Sequence, residues 1–282
     1  MRIATYNVQN LLDEDGALLA GATVKTEQAL KALAGTIAEL RSDILLLQEV
    51  GDEHTLEALN DRLPAPFPYL AVPQGNSPRG IHLAIMSREP FALTSHRDVV
   101  LTGENGEVLT EYETETDAAT GCASAVRFQR DLMLAELELD GAEPLALYNV
   151  HLKSKTNRPW KRLAADAIRA AEVRHVAHTV AAYLDAYPAR GLILAGDFND
   201  TRSSDVLAPL FALPLSDPMG EALKRTGRNP STYWPKRRMR LDFVLLSPVA
   251  RERMAPGSAR IHSGARAQRA SDHYPVSVDL RL

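Results

Sequence analysis

The sequence predicts an α/β protein built on mixed β-sheets. Short apolar runs of strand texture alternate with helical segments from one end to the other, and some of those runs are continuous, the pattern of strands covered on both faces. No composition break, low-complexity linker or fixed-period repeat divides the chain. At 282 residues, length alone allows one large domain or two small ones. The unbroken alternation favours a single domain over residues 1–282.

Ile3 to Val8 predicts a short buried strand. Thr26 to Leu40 carries Ala29, Leu30, Leu33, Ile37 and Leu40 at helical spacing. Ile44 to Leu47 is an uninterrupted apolar strand, and Leu56 to Leu63 a second helix. Pro64, Pro66, Pro68 and Pro73 then mark a loop. Ile81, Leu83 and Ile85 alternate as in a strand; Leu132 to Leu139 and Leu145 to Leu152 supply two more. Trp160 to Tyr187 is Ala-rich and predicts a long helix. Leu192 to Leu194, Leu241 to Leu246 and Val276 to Leu280 complete the strands, and the acidic stretch from Gly103 to Gly121 is expected to be a mobile, solvated insertion.

Composition narrows the function classes. An apolar fraction of 45% and a charged fraction of 24% are ordinary for a folded soluble protein. Cys122 is the only cysteine, which excludes an intrachain disulfide and a thiolate metal cluster. The N-terminus lacks the apolar core of a secretory signal, and no run approaches the ~18 apolar residues of a membrane span, so a cytoplasmic protein without integral membrane association is expected. The net charge of -4 is uneven: acids dominate between Asp98 and Glu143, and bases between Arg225 and Arg269. A basic segment in an acidic protein suits phosphate attraction or a solvated loop face.

The informative feature is where polar residues interrupt strand ends. Apolar runs lead directly into Asn7, into Gln48-Glu49, into Asn149-Val150-His151 and into Asp197-Phe198-Asn199. Asp242 heads another strand, and Ser271-Asp272-His273 precedes the last. Strand ends are where sheet proteins build ligand crevices. A carboxylate after several apolar residues is costly to desolvate unless a metal or hydrogen bonds compensate, so several in one chain point to a shared polar pocket. Oxygen-rich donors without cysteine suit Mg²⁺ or Mn²⁺. Hydrolysis of a phosphodiester needs a base, a charge sink and assistance to the leaving group, roles open to Asp, Asn and His.

The runs Ala4-Thr5-Tyr6-Asn7-Val8-Gln9-Asn10, Leu46-Leu47-Gln48-Glu49-Val50, Asn149-Val150-His151-Leu152, Gly196-Asp197-Phe198-Asn199, Leu241-Asp242-Phe243 and Ser271-Asp272-His273-Tyr274-Pro275-Val276 resemble, in order, the motifs of the endonuclease/exonuclease/phosphatase superfamily. The resemblance implies a four-layer α/β sandwich, two face-to-face mixed sheets flanked by helices, with the site at one rim. It implies Glu49 as main metal ligand, Asn7 close to the metal or its water, and Asp272 as a further ligand. It pairs His273 with Asp242, gives Asp197 and Asn199 the attacking water and the phosphate oxygens, and gives His151 either the developing charge or protonation of the leaving oxygen. Base duty stays divided between Asp197 and His273. The His151 version of its motif resembles the deoxyribonuclease and sphingomyelinase branches, so a nuclease or general phosphodiesterase is expected, with DNA or RNA as candidate substrates. A phospholipid or small phosphomonoester substrate is the alternative, and a non-catalytic protein of the same fold the second.

Asn149, Lys153 and Arg238 are the candidate substrate-binding residues. Lys153, Lys155, Arg158 and Arg162 suit either a phosphate backbone or a solvated loop. Arg79 suits an ordinary turn residue better than one that reaches the site, and Glu172, His175 and His178 read as a solvent-facing stripe on a helix. Trp234 suits base stacking or packing under the basic loop.

Overall fold

The computed structural model describes residues 1–139, 144–226, 231–235 and 239–281. Two mixed sheets carry the fold. The first has the order β12-β13-β1-β2-β4-β3, with β1 Arg2–Leu11, β2 Ile44–Val50, β3 Tyr69–Ala71, β4 His82–Ser87, β12 Arg260–Ile261 and β13 Val276–Asp279. The second has the order β11-β10-β9-β8-β5, with β5 Phe91–Ser95, β8 Leu132–Leu137, β9 Leu145–His151, β10 Gly191–Asp197 and β11 Asp242–Leu246. A small hairpin, β6 Thr110–Glu111 and β7 Ser124–Ala125, stands apart. β1 runs parallel to β2 and β9 parallel to β10, while the other neighbours are antiparallel.

Period-two side-chain alternation explains the layering. One row from each strand fills the space between the sheets, where Ile3, Ile44, Leu46, Leu83 and Ile85 meet Met133, Ala135, Leu145, Leu147, Ile193 and Val244. The opposite rows face helices. Ala4, Tyr6, Leu45 and Leu47 pack under α2 (Glu27–Leu40), α3 (Glu53–Asn60) and α9 (Ala265–Ala270). Ala146, Tyr148, Leu192, Leu194 and Phe243 pack under α5 (Ala165–Ala186) and α6 (Ala208–Phe211). Helix, sheet, sheet and helix give the expected four-layer sandwich. Among the described residues no helix is long and apolar enough to cross a membrane.

Local chemistry sets the helix ends. Thr26 caps α2 by accepting the Ala29 N–H at 3.2 Å. The long helix starts at Ala165 rather than Trp160, because Asn157 accepts the Ala165 N–H at 2.6 Å and the residues between belong to a loop. The acidic stretch is solvated along most of its length and anchored at one buried position. Its buried Glu111 accepts the N–H groups of Arg162 at 2.7 Å and Leu163 at 3.0 Å, and a capping box starts the short α4 (Glu115–Thr120). The insertion thus docks onto the loop between β9 and α5.

Candidate active site

The site continues the inter-sheet rows past their apolar ends. Ile3 and Thr5 lead to Asn7, Ile44 and Leu46 to Gln48, Leu145 and Leu147 to Asn149 and His151, and Ile193 and Ala195 to Asp197. Parallel pairing sets His151 beside Asp197, and antiparallel pairing sets Asp242 on its other side. Three functional side chains therefore stand abreast on neighbouring strands with no loop needed to bring them together.

Strand parity would send Glu49 to the helix face beside Leu47. A register shift between Gln48 and Val50 prevents this: Glu49 has φ 66°, and the bulge turns its carboxylate into the crevice. Gln9 and Asn10, both at φ 52°, and Asn199, also at 52°, share that left-handed conformation around the same rim. Non-glycine residues held there mark a backbone shaped for a purpose other than regular pairing. Gly196 is required twice over. Its φ is 140°, and a Cβ would overlap the Val150 carbonyl of the adjacent strand.

Side chains from the whole length of the sequence converge. Asn7 Nδ2 donates to Asp197 Oδ2 at 3.0 Å and to Glu49 Oε1 at 3.3 Å, while its Oδ1 accepts the Gln9 N–H at 2.9 Å. Glu49 Oε2 accepts the Asn10 N–H at 3.0 Å. His151 Nε2 lies 3.6 Å from Asp197 Oδ2 and 3.9 Å from Glu49 Oε1. His273 Nδ1 is 2.8 Å from Asp242 Oδ2, and its Nε2 is 3.8 Å from Asp197 Oδ2. Asp197 Oδ1 accepts the Asn199 N–H at 2.8 Å, and Asn199 Nδ2 donates to the Leu152 carbonyl at 2.9 Å. Asp272 accompanies His273, its N–H donating to Gln9 Oε1 at 3.1 Å.

Burial and charge then separate the two histidines. Burial, together with the Arg130, His273 and Arg79 charges, holds His151 well below the usual imidazole range, so it is neutral. Its Nδ1 is buried without a hydrogen-bond partner while Nε2 faces carboxylates, which selects the Nε2–H tautomer. For His273, burial opposes the charge, but Asp242 and Asp197 outweigh it and raise the group to about 10. Burial, with Asp242 adding to it, also raises Asp197 above the ordinary carboxylate range. Asp272 is raised as well, by burial first and then by Glu49.

Asn149 is corrected. It is fully buried, and its amide spans the sheets, accepting from Gln48 Nε2 at 2.7 Å and donating to the carbonyls of Leu47 at 3.0 Å and Ala84 at 3.2 Å. Those bonds leave it nothing to offer a substrate. Asn7 presents donors rather than its oxygen to the carboxylates, so it bridges Glu49 and Asp197 instead of standing ready as a ligand. The Lys153 ammonium is turned onto its own loop, at 3.0 Å from the Ser154 carbonyl and 3.1 Å from that of Thr156. Arg238 lies outside the described residues. Arg240 is bound to Asp217 at 2.5 Å, so this part of the basic segment serves packing. Trp234 also packs, its Nε1 donating to the Ser271 carbonyl at 2.9 Å.

Arg79, for which the sequence favoured a turn role over the site, joins it, and Arg130, Lys25 and Tyr233 do so without having been singled out. Arg79 Nη2 donates to Asn10 Oδ1 at 2.7 Å, and buried Arg130 feels the charges of Glu49 and Asp197. Lys25 bonds the Ala270 carbonyl at 2.7 Å within the field of Asp272 and Glu49. Tyr233 packs against His273 with ring centroids 5.2 Å apart and the planes tilted by 59°. The sequence held a signal for the two arginines. Each precedes a strand that runs antiparallel to its neighbour, β4 beside β2 and β8 beside β9, and so begins at the end where that neighbour finishes.

A divalent cation fits these residues. Asp197 and Asp242 bring buried carboxylate oxygens within 4.8 Å of each other beside His273, and the Glu49 carboxylate, 3.3 Å from Asn7 Nδ2 and 3.9 Å from His151 Nε2, faces the same crevice. Asp242 Oδ1 is buried with no hydrogen-bond partner. Hard oxygen donors of this kind suit Mg²⁺ or Mn²⁺.

A model of the Endonuclease/Exonuclease/phosphatase family matches residues 4–273. Among solved structures, TDP2 from C. elegans superposes with a TM-score of 0.61 at 17% identity, covering 100% of this chain and 75% of that one. An endonuclease/exonuclease/phosphatase from Beutenbergia cavernae gives 0.60 at 18% identity, covering 100% and 71%. A beta toxin from Staphylococcus aureus gives 0.57 at 14% identity, covering 100% of both chains. At such identities the likeness is one of fold. A search of the curated proteins found no match.

Proposed function

The chain belongs to the endonuclease/exonuclease/phosphatase family, and from that premise we propose that it hydrolyses a phosphodiester by attack of water at phosphorus, as a nuclease or general phosphodiesterase dependent on Mg²⁺ or Mn²⁺. The observation that carries this reading is the meeting of Glu49, His151, Asp197, Asp242 and His273 in one buried crevice. Glu49 and Asp272, with Asp197 beside them, would hold the cation, which when bound supplies charge neutralisation to the phosphate.

The residues divide the remaining work by charge state. His273 is held as an imidazolium by Asp242 and therefore cannot accept a proton at neutral pH. Base duty falls to Asp197, whose carboxylate burial has made more basic. Asn7 and the Asn199 N–H hold its two oxygens in place. Water forms the new P–O bond as its proton passes to Asp197, and the ester P–O bond breaks. His273 is the acidic group available to the departing oxygen. The neutral His151 donates from Nε2 to the charge developing on the phosphoryl oxygens. Arg130 and Arg79 add positive potential.

The test is a panel of bis-p-nitrophenyl phosphate, p-nitrophenyl phosphate, a choline phospholipid and plasmid and single-stranded DNA, each with Mg²⁺, Mn²⁺ or EDTA. Cation-dependent cleavage of the diester or the nucleic acids is expected. Replacing Asp197 or His273 by Ala should lower turnover about a hundredfold or more. Inertness towards every phosphoester would refute hydrolysis, and exclusive cleavage of the monoester would refute the diester preference.

A further inference from the structure

Parallel β9 and β10 deliver His151 and Asp197 side by side, but no tight turn joins parallel strands where they end. The segments that leave them, Leu152 to Lys155 and Phe198 to Asp200, are held together by other bonds. The Leu152 N–H donates to the Asp197 carbonyl at 3.0 Å, Asn199 Nδ2 donates to the Leu152 carbonyl at 2.9 Å, and Lys155 Nζ lies 2.5 Å from Asp200 Oδ1.

Helix α5 reaches both segments with one side chain. Arg169 is fully buried on a face that continues with the apolar Val173 and Val176. Its Nη1 donates to the Lys153 carbonyl at 2.9 Å and its Nη2 to Asp200 Oδ2 at 3.0 Å, so a single guanidinium spans the gap. Nη2 also donates to Asp166 Oδ1 at 2.6 Å. Asp200 is buried too, and its carboxylate accepts the Thr201 N–H at 2.8 Å and the Ser204 hydroxyl at 2.9 Å.

We propose that Arg169 and Asp200 are positioning residues for the phosphoester reaction, a brace that locks the turn at Asn199 against the segment following His151. Asn199 holds φ 52°, and its N–H donates to Asp197 Oδ1 at 2.8 Å. Asp200 is the next residue, so its bond to Arg169 pins the strained turn that orients the Asp197 carboxylate. Stability alone does not account for the pair. A buried ion pair gains little over apolar residues of the same volume, and Arg169 Nε is buried with no hydrogen-bond partner. What the guanidinium supplies is a planar fork that bonds two backbone segments at once. Without it, Asn199 is free to relax toward the right-handed region, carrying its N–H off Asp197.

The kinetic part of this inference rests on the hydrolase reading; the brace does not. Arg169→Lys keeps the buried charge but replaces the fork with a single ammonium, and Asp200→Asn keeps the shape but removes the charge. Each is expected to lose about tenfold or more in kcat at a temperature where it is fully folded, with KM changed by less than about threefold. The double variant should fall below the worse single variant by less than about twofold, because both changes remove the same bridge. In metal-free protein, hydrogen exchange at the Asn199 N–H should quicken about tenfold or more in either variant. Exchange at the Ser247 N–H, bonded to the Leu192 carbonyl at the far end of β10, should change by less than about twofold. Wild-type kcat in both single variants, losses that multiply in the double variant, or equal quickening at Asn199 and Ser247 would each overturn the proposal. Should one single variant not accumulate, the other carries the same expectations for kcat and exchange. If wild type cleaves no phosphoester, the hydrolase reading fails by itself, and the exchange rates still decide whether the brace holds the Asn199 turn.

Discussion

Replacing Asp242 by Asn removes the carboxylate that stands 2.8 Å from His273 Nδ1 while keeping its shape. Asp242 raises His273 both through its charge and through this hydrogen bond, and Asp197 assists from 3.8 Å. The rise from 6.5 to about 10 corresponds to roughly 5 kcal/mol of preference for the charged form. Because the folded value is raised, that stabilisation is complete below pH 6.5 and is lost as pH climbs through about 10. A single adjacent carboxylate accounts for roughly 1–3 units of such a shift. Asp242→Asn should therefore lower the His273 pKa by that amount and reduce stability at neutral pH by about 1.4–4 kcal/mol. It should also lower kcat by about a hundredfold to ten-thousandfold, as expected when an imidazole loses the carboxylate that fixes its tautomer and charge. The assay is an NMR titration of the His273 ring in EDTA, with urea unfolding at pH 7 and pH 10 in parallel. A wild-type His273 titrating near 6.5, or a value unchanged in Asp242→Asn, would refute the charge assignment and return the base role to His273.

Gly196→Ala should destabilise the fold by several kcal/mol or prevent its accumulation, since the added Cβ meets the Val150 carbonyl in a backbone conformation closed to alanine; thermal melting checks this. Asn149→Ala leaves Gln48 Nε2 and the Leu47 and Ala84 carbonyls without this partner between the sheets, for a loss of about 2–4 kcal/mol in urea unfolding. A substrate-binding Asn149 would instead raise KM and leave stability untouched. The depressed His151 pKa contributes stability that is present above 6.5 and lost as pH falls below it, by up to ~1.4 kcal/mol per pH unit. His151→Asn should flatten that part of the stability curve, measured by urea unfolding from pH 7 to pH 5.

Strand ends made most of the site legible in the sequence. Asn7, His151, Asp197 and Asp242 terminate or begin apolar strands, and period-two alternation places them on the inter-sheet face. Asn149 shares that parity with His151, but it sits one pleat deeper, where the opposing sheet closes over it. Depth along a row is set by how the two sheets are staggered, which no local pattern encodes. Glu49 violates parity and reaches the site only through its bulge. The stripe of Glu172, His175 and His178 failed for a geometric reason. Residues six apart on a helix differ by about 120° around the axis, so Glu172 can turn inward while His178 stays exposed. The anchor of the acidic insertion was not legible because its one buried carboxylate, Glu111, is satisfied by backbone N–H groups some fifty residues away.

The convergence of the two halves of the chain on one cation is tested most directly by anomalous diffraction from crystals soaked in Mn²⁺. The account predicts a single strong peak bound by the Glu49 carboxylate and flanked by Asp197 and Asp272, lost in Glu49→Gln. Well-ordered carboxylates with no peak at saturating Mn²⁺, or a peak that persists unchanged in Glu49→Gln, would contradict it.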